Sequence, residues 1–533
     1  MTWNDFFRRR RKLAASMLLA CFALFAGKKV SDYSSPPDRE KNCDFVFPGD
    51  SGNNKLTTLI VRTPEQPILF EDRGGFVNDA SCLNKTPIYG MVKVEKDEDV
   101  RTALEFARAN HLKVSIAGQR HSMGGQTFSR NGVVLDMRGF NQISLDRERR
   151  VIHAQAGATW AQVQTLIDGA GLSVQAMQSI NVFSIGGSLS VNAHGIGHRP
   201  GPLASTVRPL RIILANGKIE NASQTENPEL FRLVLGGYGL FGVILDADIQ
   251  LVDNEVYSIE NAELDYRNFP AYYRTNIADD DRVGLVYGRL SISPTSYLRE
   301  TAVHVYRKTE FSGEVPPVQP STHDRLDRFV INLSRTGGFG RWVRWTLEKR
   351  FGPKLHSCLS RNQEMVQKEA CLVSRNEEMN DSMAYLRNRL NDTDILQEYF
   401  IPPDRMPEFV DGLRSIVTRD GSNLLNVTIR VVHKDTVTAL PYAKRDMFAF
   451  VLYFNQELND TESRILRNAT VDLVDLAIGL RGTFYLPYQL YYSSEQLRQA
   501  YPEIDAFFSA KEQYDPEKLF SSKFYEKYGD WKN

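Results

Sequence analysis

The first half of the chain alternates short apolar runs with amphipathic stretches. The apolar runs at 91–94 and 114–117 predict buried strands. Between them, residues 97–110 repeat an apolar position every three or four residues, which predicts a helix with one buried face. The same pattern continues to residue 254, so this part is predicted to be an α/β unit. Its further strands are expected at 133–137, 151–156, 210–214 and 243–251, with a helix at 160–170.

The second half follows a different pattern, with longer apolar strands and charged helices. Residues 428–432 and 448–454 read as buried strands, and 459–480 as one amphipathic helix that closes before Gly482. This pattern predicts a separate α+β domain from residue 255 onward.

The N-terminus is typical of an exported or membrane-anchored protein. An unbroken basic run at 8–12 precedes fifteen uncharged residues at 13–27, and Lys28 and Lys29 follow. The uncharged run is short for a bilayer, which needs about 20 helical residues, so residues 1–30 are expected to be a signal or a short anchor. The alternative is a buried N-terminal helix. Residues 31–54 are polar and contain Pro36 and Pro37, as a linker would.

Composition narrows the classes of function. Of the 533 residues, 42% are hydrophobic and 24% are charged, as in a globular protein rather than a disordered or polytopic membrane chain. The net charge is zero, which disfavours a dedicated nucleic-acid binder. The five cysteines form no Cys-x-x-Cys pair, so no metal site is expected.

The densest chemical signal follows the strand at 114–117. A turn rich in glycine also carries a hydroxyl, a cation and a histidine, and glycines there let backbone N–H groups approach an anion. It is neither a P-loop nor a Gly-x-Gly-x-x-Gly turn that opens a helix. Taken alone, it is equally consistent with a tight turn around a hydrogen-bonded histidine. The candidate ligand-binding residues are Gly118, Gln119, Arg120, His121, Ser122, Met123 and Gly124.

Two further glycine clusters favour a long cofactor. Residues 179–202 contain five glycines, two histidines and no acid, and residues 236–242 contain four glycines before the strand at 243–251. Three such clusters beside strands fit a dinucleotide-like cofactor better than a single phosphate. The candidates in the second and third regions are Ser179, Ser184, Gly186, Gly187, Ser188, Asn192, His194, Gly195 and Ile244.

The order of these motifs over residues 85–254 resembles the FAD-binding domain of the vanillyl-alcohol oxidase and p-cresol methylhydroxylase (PCMH) type. The resemblance implies an α+β chain with a two-subdomain FAD-binding domain at 55–254 and a substrate (cap) domain at 255–485. It further implies that residues 486–533 return to the FAD domain. In the family the first turn holds the pyrophosphate, and a histidine at the place of His121 is often bonded covalently to the flavin.

The substrate domain resembles alditol and aldonolactone oxidases more weakly, at 396–402 and 429–432. Many aldonolactone oxidases carry a His-Trp-x-Lys stretch where this chain has residues 483–489, and alditol oxidases have Glu-x-Arg where it has Thr428-x-Arg430. The resemblance implies an FAD-dependent oxidase or dehydrogenase that oxidises a hydroxylated carbon of an alcohol, polyol or lactone-like substrate. Oxygen or another acceptor would take the electrons.

Oxidation of an alcohol needs a proton acceptor and a cation near the reduced flavin. The candidates are Tyr488 as a proton relay, Arg430 for charge and Gln397 to hold a substrate hydroxyl. Two alternatives stay open: a flavoenzyme for a lipid-linked or sterol-like substrate, and a membrane-tethered flavin-binding module without turnover. Residues 323–354 bear eight positive and three negative charges with interleaved tryptophans, a mix typical of membrane-surface helices. The alternative there is a solvated helix whose tryptophans lie in the core.

Overall fold

A computed structural model describes residues 60–62, 67–318, 329, 332–358, 366–367, 370–379 and 392–529. The predicted signal or anchor at 1–30 and the linker at 31–54 lie outside these residues. Among the helices of the described ranges, none is both long enough and apolar enough to cross a membrane.

The first sheet carries the predicted βαβ unit. Helix α1 crosses between two strands that both pair in parallel with a third, and its first turn holds three acids that complement the helix dipole. The sheet order is β1-β2-β5-β7-β6, and β3 pairs with β4 beside it. The elements are β1 (Ile60–Arg62), β2 (Pro67–Arg73), β3 (Phe76–Val77), β4 (Thr86–Pro87), β5 (Gly90–Lys93), α1 (Asp97–Ala109), β6 (Val114–Ala117) and β7 (Val133–Asp136).

The second sheet is antiparallel and completes the α/β part. Its order is β12-β11-β13-β9-β8, with β10 paired to the far end of the long strand β13. A short helix, α3, lies in the second glycine cluster. The elements are β8 (Ile143–Asp146), β9 (Val151–Gln155), α2 (Trp160–Asp168), β10 (Leu172–Val174), α3 (Ile185–Ser190), β11 (Val207–Ile213), β12 (Ile219–Ala222), α4 (Pro228–Val234) and β13 (Val243–Asp253).

A nine-stranded antiparallel sheet forms the second half, in the order β17-β18-β14-β16-β15-β20-β21-β19-β22. Its first strands are β14 (Val256–Asp265), β15 (Val283–Leu290), β16 (Glu300–Lys308), β17 (Val366–Gln367) and β18 (Ala370–Ser374). The remaining strands are β19 (Asp392–Ile401), β20 (Leu424–Val432), β21 (Met447–Glu457) and β22 (Thr483–Phe484).

Helices cover this sheet and continue to the C-terminus. They are α5 (Phe269–Asn276), α6 (Gly338–Cys358), α7 (Arg375–Glu378), α8 (Met406–Asp420), α9 (Asp460–Gly479), α10 (Ser494–Ala500), α11 (Ile504–Tyr514) and α12 (Lys523–Tyr528). Helices α8 and α9 pack closely, since a β-carbon on Gly412 would lie 2.6 Å from Leu476 Cδ2. The elements expected from the hydrophobic pattern are all present, with ends displaced by a few residues in either direction.

The C-terminal segment is fixed to the first sheet by a buried ion pair. The ammonium group of Lys511 contacts the carboxylate of Asp515, and both side chains are fully buried. The same carboxylate accepts hydrogen bonds from the N–H groups of Leu519 and Phe520, at 2.9 and 2.8 Å. Leu519 in turn accepts a hydrogen bond from the N–H of Val114 in β6. One buried charge pair therefore holds the turn that joins the C-terminus to the first sheet.

We expect Lys511→Met to lower the free energy of unfolding by about 3–5 kcal/mol, because it leaves the Asp515 carboxylate buried without its cation. Urea denaturation followed by circular dichroism measures the loss. The matched control is Arg498→Met, which breaks a more exposed pair with Asp505 and should cost less than about 1 kcal/mol. Equal losses in the two variants would contradict this account of the C-terminal segment.

Candidate active site

The first and second glycine clusters face each other across a narrow gap. A β-carbon on Gly118 would lie 2.1 Å from Ser184 Oγ, and one on Gly187 would lie 2.9 Å from the same atom. At Gly187 no other atom outside its own helix and chain neighbours lies within 4 Å of that position. Gly118 therefore lies directly against the Ser184 hydroxyl, and the open space beside that hydroxyl is on the Gly187 side.

Hydrogen-bond donors border this gap. Ser184 begins helix α3, but its hydroxyl makes no capping bond to that helix. In the described part of the chain, the backbone N–H groups of Gln119 and Ser122 have no hydrogen-bond acceptor. A hydroxyl and N–H groups beside glycines match the donor set that an anionic ligand needs.

Arg120, the cation of the first glycine-rich turn, makes its contacts away from Ser184. Arg120 adopts a positive φ of 57°, and its guanidinium is buried 3.5 Å from the carboxylate of Asp136 and near the sulfur of Met91. Its charge is therefore paired inside the first sheet. The ring of His121 lies 4.6 Å from that of Phe183, next to the second cluster.

Several residues of the second cluster serve close packing. A β-carbon on Gly186 would meet Ala156 at 2.7 Å, and one on Gly195 would meet the carbonyl oxygen of Met177 at 1.9 Å. The Ser188 hydroxyl accepts a hydrogen bond from the Trp160 indole at 2.9 Å. These residues therefore support the second cluster through packing against the protein interior.

Two further predicted residues make contacts within the protein itself. The Asn192 amide donates to Asp435 at 2.9 Å and accepts from the Ala204 N–H at 2.9 Å. Ile244 is buried in β13 opposite Ile212.

The first turn is tied to a segment of the second half of the chain. The Met123 N–H donates to Pro487 O at 2.7 Å, and the Gln126 amide donates to Leu486 O and Tyr488 O at 2.7 and 3.0 Å. A β-carbon on Gly124 would lie 2.3 Å from Tyr488 O, so a side chain there would push the two segments apart. Tyr488 is thereby held next to the glycine-rich turn.

A buried acid and histidine lie beside Tyr488. Glu398 Oε1 is 2.8 Å from His194 Nε2, and their side chains are 3% and 4% exposed. Neither ring nitrogen of His194 makes a well-aligned hydrogen bond to a described residue. Burial raises the pKa of Tyr488 well above its ordinary value, and the Glu398 carboxylate raises it further, while Arg430 lowers it. Tyr488 therefore stays protonated beside a carboxylate.

Aromatic rings enclose this pair. The His194 ring is 5.4 Å from Phe400, 5.7 Å from Tyr442 and 5.9 Å from Tyr485. The Tyr442 and Tyr485 hydroxyls donate to backbone carbonyls of the second glycine cluster. Burial raises the pKa of both tyrosines, and nearby charges including Glu398 add to the rise. The Glu398–His194 pair thus sits in an apolar surround with little access to water.

The structure brings two of the three predicted catalytic residues to this place. Arg430 of β20 is near Tyr488 and donates to Ser179 Oγ at 2.9 Å. Gln397 lies on the opposite face of β19, where its amide contacts Thr470 at 2.6 Å and Tyr399 at 2.8 Å. Its contacts are those of a residue that joins β19 to helix α9.

Sequence reasoning missed Glu398. Successive side chains of a strand point to opposite faces, so Glu398 shares the face of Phe400 and faces away from Gln397. A carboxylate inside an apolar strand was the available signal, because such a group is rarely buried without a partner. The partner, His194, is some 200 positions away in the sequence and could not be assigned from spacing.

The gap fits the diphosphate of FAD. The Ser184 hydroxyl and the N–H groups of Gln119 and Ser122 would hold its oxygens, and Gly187 leaves space beside that hydroxyl, while Gly118 lies against it. The family model described as an FAD binding domain matches residues 89–223, which include these five residues.

Curated relatives are oxidoreductases. The chain is 30% identical to an uncharacterized oxidoreductase of the fasciation locus of Rhodococcoides fascians, over 45% of this chain and 53% of that protein. It is 32% identical to cytokinin dehydrogenase 2 of Arabidopsis thaliana, over 30% of this chain and 33% of the relative. It is 29% identical to L-gulonolactone oxidase of Bos taurus, over 29% and 35% of the two chains.

The chain spans about half the length of the first of these relatives and about a third of the other two. The matches agree with the glycine-rich turns and the gap between them. The chain therefore contains an FAD-binding domain of the type found in FAD-linked oxidoreductases, aldonolactone oxidases among them.

Proposed function

We propose that this protein is an FAD-dependent oxidoreductase that oxidises a hydroxylated carbon of an alcohol, polyol or lactone-like substrate. The observation that supports it best is the buried Glu398–His194 pair, which lies beside Tyr488 and the glycine-rich turn. Bound FAD would supply the redox chemistry by taking a hydride from the carbon. Oxygen or another acceptor would later take the electrons.

The protein's part in this reaction is to move a proton and exclude water. Glu398 accepts the proton of the substrate hydroxyl, and His194 Nε2 lies 2.8 Å from its carboxylate. Tyr488, kept protonated by its surroundings and hydrogen-bonded to Glu398, would turn its hydroxyl to the substrate oxygen. Arg430 places a positive charge near Tyr488, which would offset negative charge on reduced FAD.

We expect Glu398→Gln to lower kcat by about 100- to 10,000-fold while the protein keeps its flavin absorbance, because glutamine cannot accept a proton. Turnover is measured as anaerobic flavin reduction, first with a panel of polyols and aldonolactones to find a substrate. Glu457→Gln, at the exposed end of neighbouring strand β21, is the control and should behave as wild type. A Glu398→Gln variant with wild-type activity would show that Glu398 is not the proton acceptor.

We also propose that the flavin is bound covalently through His121. The support is the position of this ring at the second glycine cluster, 4.6 Å from Phe183, within the turn that borders the gap.

After acid precipitation we expect flavin to stay with the wild-type protein and to leave His121→Ala, since a covalent bond survives unfolding. Absorbance of pellet and supernatant measures the partition. His153→Ala, on strand β9 of the same domain and half-exposed, should retain its flavin. Flavin that leaves the wild-type protein with the acid supernatant would show that His121 makes no such bond.

We further propose that the protein is exported or membrane-anchored and that it contacts a membrane surface. The disulfide bond of Cys82 is compatible with an oxidising compartment. In helix α6, Phe339 and Trp342 are 77% and 45% exposed and lie 6.0 Å apart. Trp345, in contrast, is buried and donates to Glu300 at 2.7 Å, so it belongs to the core.

If this exposed pair contacts lipid, Phe339→Ser/Trp342→Ser in a protein lacking residues 1–30 should weaken binding to anionic vesicles about tenfold or more, because the apolar anchors are lost. Co-sedimentation at low and high salt measures it. Phe76→Ser, an exposed aromatic in the first half, is the control. Unchanged binding would leave the free alcohol as the preferred substrate class over a lipid-linked or sterol-like one.

A further inference from the structure

A cavity opens beside the glycine-rich turn at Gly124. It has a volume of 320 Å³, which is within the range of small-molecule sites. Three of its lining side chains are cations, one from helix α9 and two from helix α12. The cavity is lined by Asn84, Gly124, Arg467, Gln489, Leu490, Tyr491, Lys523 and Lys527.

The three cations retain capacity to bind a ligand. Lys523 Nζ donates to Asn84 O at 3.1 Å, and Lys527 Nζ donates to Leu490 O at 2.5 Å and to Tyr492 O at 3.4 Å. An ammonium group has three donors, so Lys523 keeps some unused. Burial lowers the pKa of both lysines, and Arg467 lowers that of Lys527 further.

Arg467 is the most accessible of the three. Its guanidinium lies 5.2 Å from the centre of the Tyr491 ring, and within the described part of the chain it forms no ion pair with a carboxylate. The side chain is exposed at the mouth of the cavity. It can therefore turn its planar pair of donors toward a bound anion.

The wall of this cavity carries no acidic side chain, since none of its lining residues is an Asp or Glu. Two carboxylates outside the wall, those of Asp79 and Glu526, raise the pKa of Lys523. Both are also engaged by other groups: Asp79 accepts from Ser81, Asn84 and Gly125, and Glu526 accepts from Ser129. Three positive charges thus converge without a counter-charge in the cavity wall.

This cavity is separate from the Glu398 site. Arg467 lies one turn of α9 before Thr470, which contacts Gln397 on the face of β19 opposite to Glu398. Gly124 alone is shared with the glycine-rich turn. Lys523 also packs against that turn, since a β-carbon on Gly125 would lie 2.5 Å from Lys523 Cδ.

We infer that this cavity binds a phosphate-bearing small molecule. A phosphate monoester carries between one and two negative charges near neutral pH and offers three acceptor oxygens, which matches three converging cations better than a single carboxylate does. The volume beyond the phosphate would hold the group attached to it, against Tyr491 and Leu490. The inference does not depend on the proposed oxidation, because none of the three cations belongs to the Glu398 site.

Calorimetric titration of the purified full-length protein with inorganic phosphate, against chloride at equal ionic strength, tests it. We expect saturable binding in the wild type and a dissociation constant raised at least about tenfold in Arg467→Gln, since a charged hydrogen-bond donor is lost. Lys527→Gln should weaken binding similarly. Arg464→Gln, exposed on the same helix but outside the cavity, is the matched control and should bind as wild type.

Titration with two further probes distinguishes a soluble phosphate ester from a lipid headgroup. Glycerol 3-phosphate that binds more tightly than inorganic phosphate would indicate a soluble ligand, and binding only to phosphatidate vesicles would indicate a lipid headgroup. Either result supports a phosphate site if the Arg467→Gln substitution weakens binding of that probe. Absence of saturable binding to all three probes would overturn the inference, as would an equal loss in Arg464→Gln. These binding measurements do not require turnover, so a failure of this inference can be distinguished from a failure of the proposed function.

Discussion

The arrangement of the site depends on the close contact between the glycine-rich turn and residues 486–488. Three backbone carbonyls of this segment accept hydrogen bonds from Met123 and Gln126, and Gly124 has no side chain that would push the two segments apart. Buried backbone groups need such partners, so the contact fixes the relative position of the two halves. Tyr488 and, through it, Glu398 are placed against the turn because of this contact.

The glycines of the two clusters fall into two groups with different physical roles. Gly187 leaves open space beside Ser184 Oγ, as a ligand-binding gap requires. Gly118, Gly186 and Gly195 instead allow two segments of the chain to approach each other closely. A sequence cannot separate these roles, because both need the same residue.

The surroundings of Glu398 are built from single residues of separate elements. Glu398 comes from β19, Arg430 from β20, and Tyr488 from the segment after β22, while His194 belongs to the first half. Burial among aromatic rings strengthens their electrostatic interactions, since little water screens them. A carboxylate, a guanidinium and a phenolic hydroxyl are thus concentrated beside the glycine-rich turn.

The sequence alone determined the strands, the helices and the glycine-rich turns, because hydrophobic periodicity and glycine content are local properties. It also placed Tyr488 and Arg430 among the candidates, through resemblance to oxidases. Tertiary structure decided the rest. Arg120 is paired with Asp136 and Gln397 with Thr470, and Glu398 rather than Gln397 faces His194. The physical reason is that the direction of a side chain depends on strand pairing and on contacts between residues hundreds of positions apart, which no local pattern records.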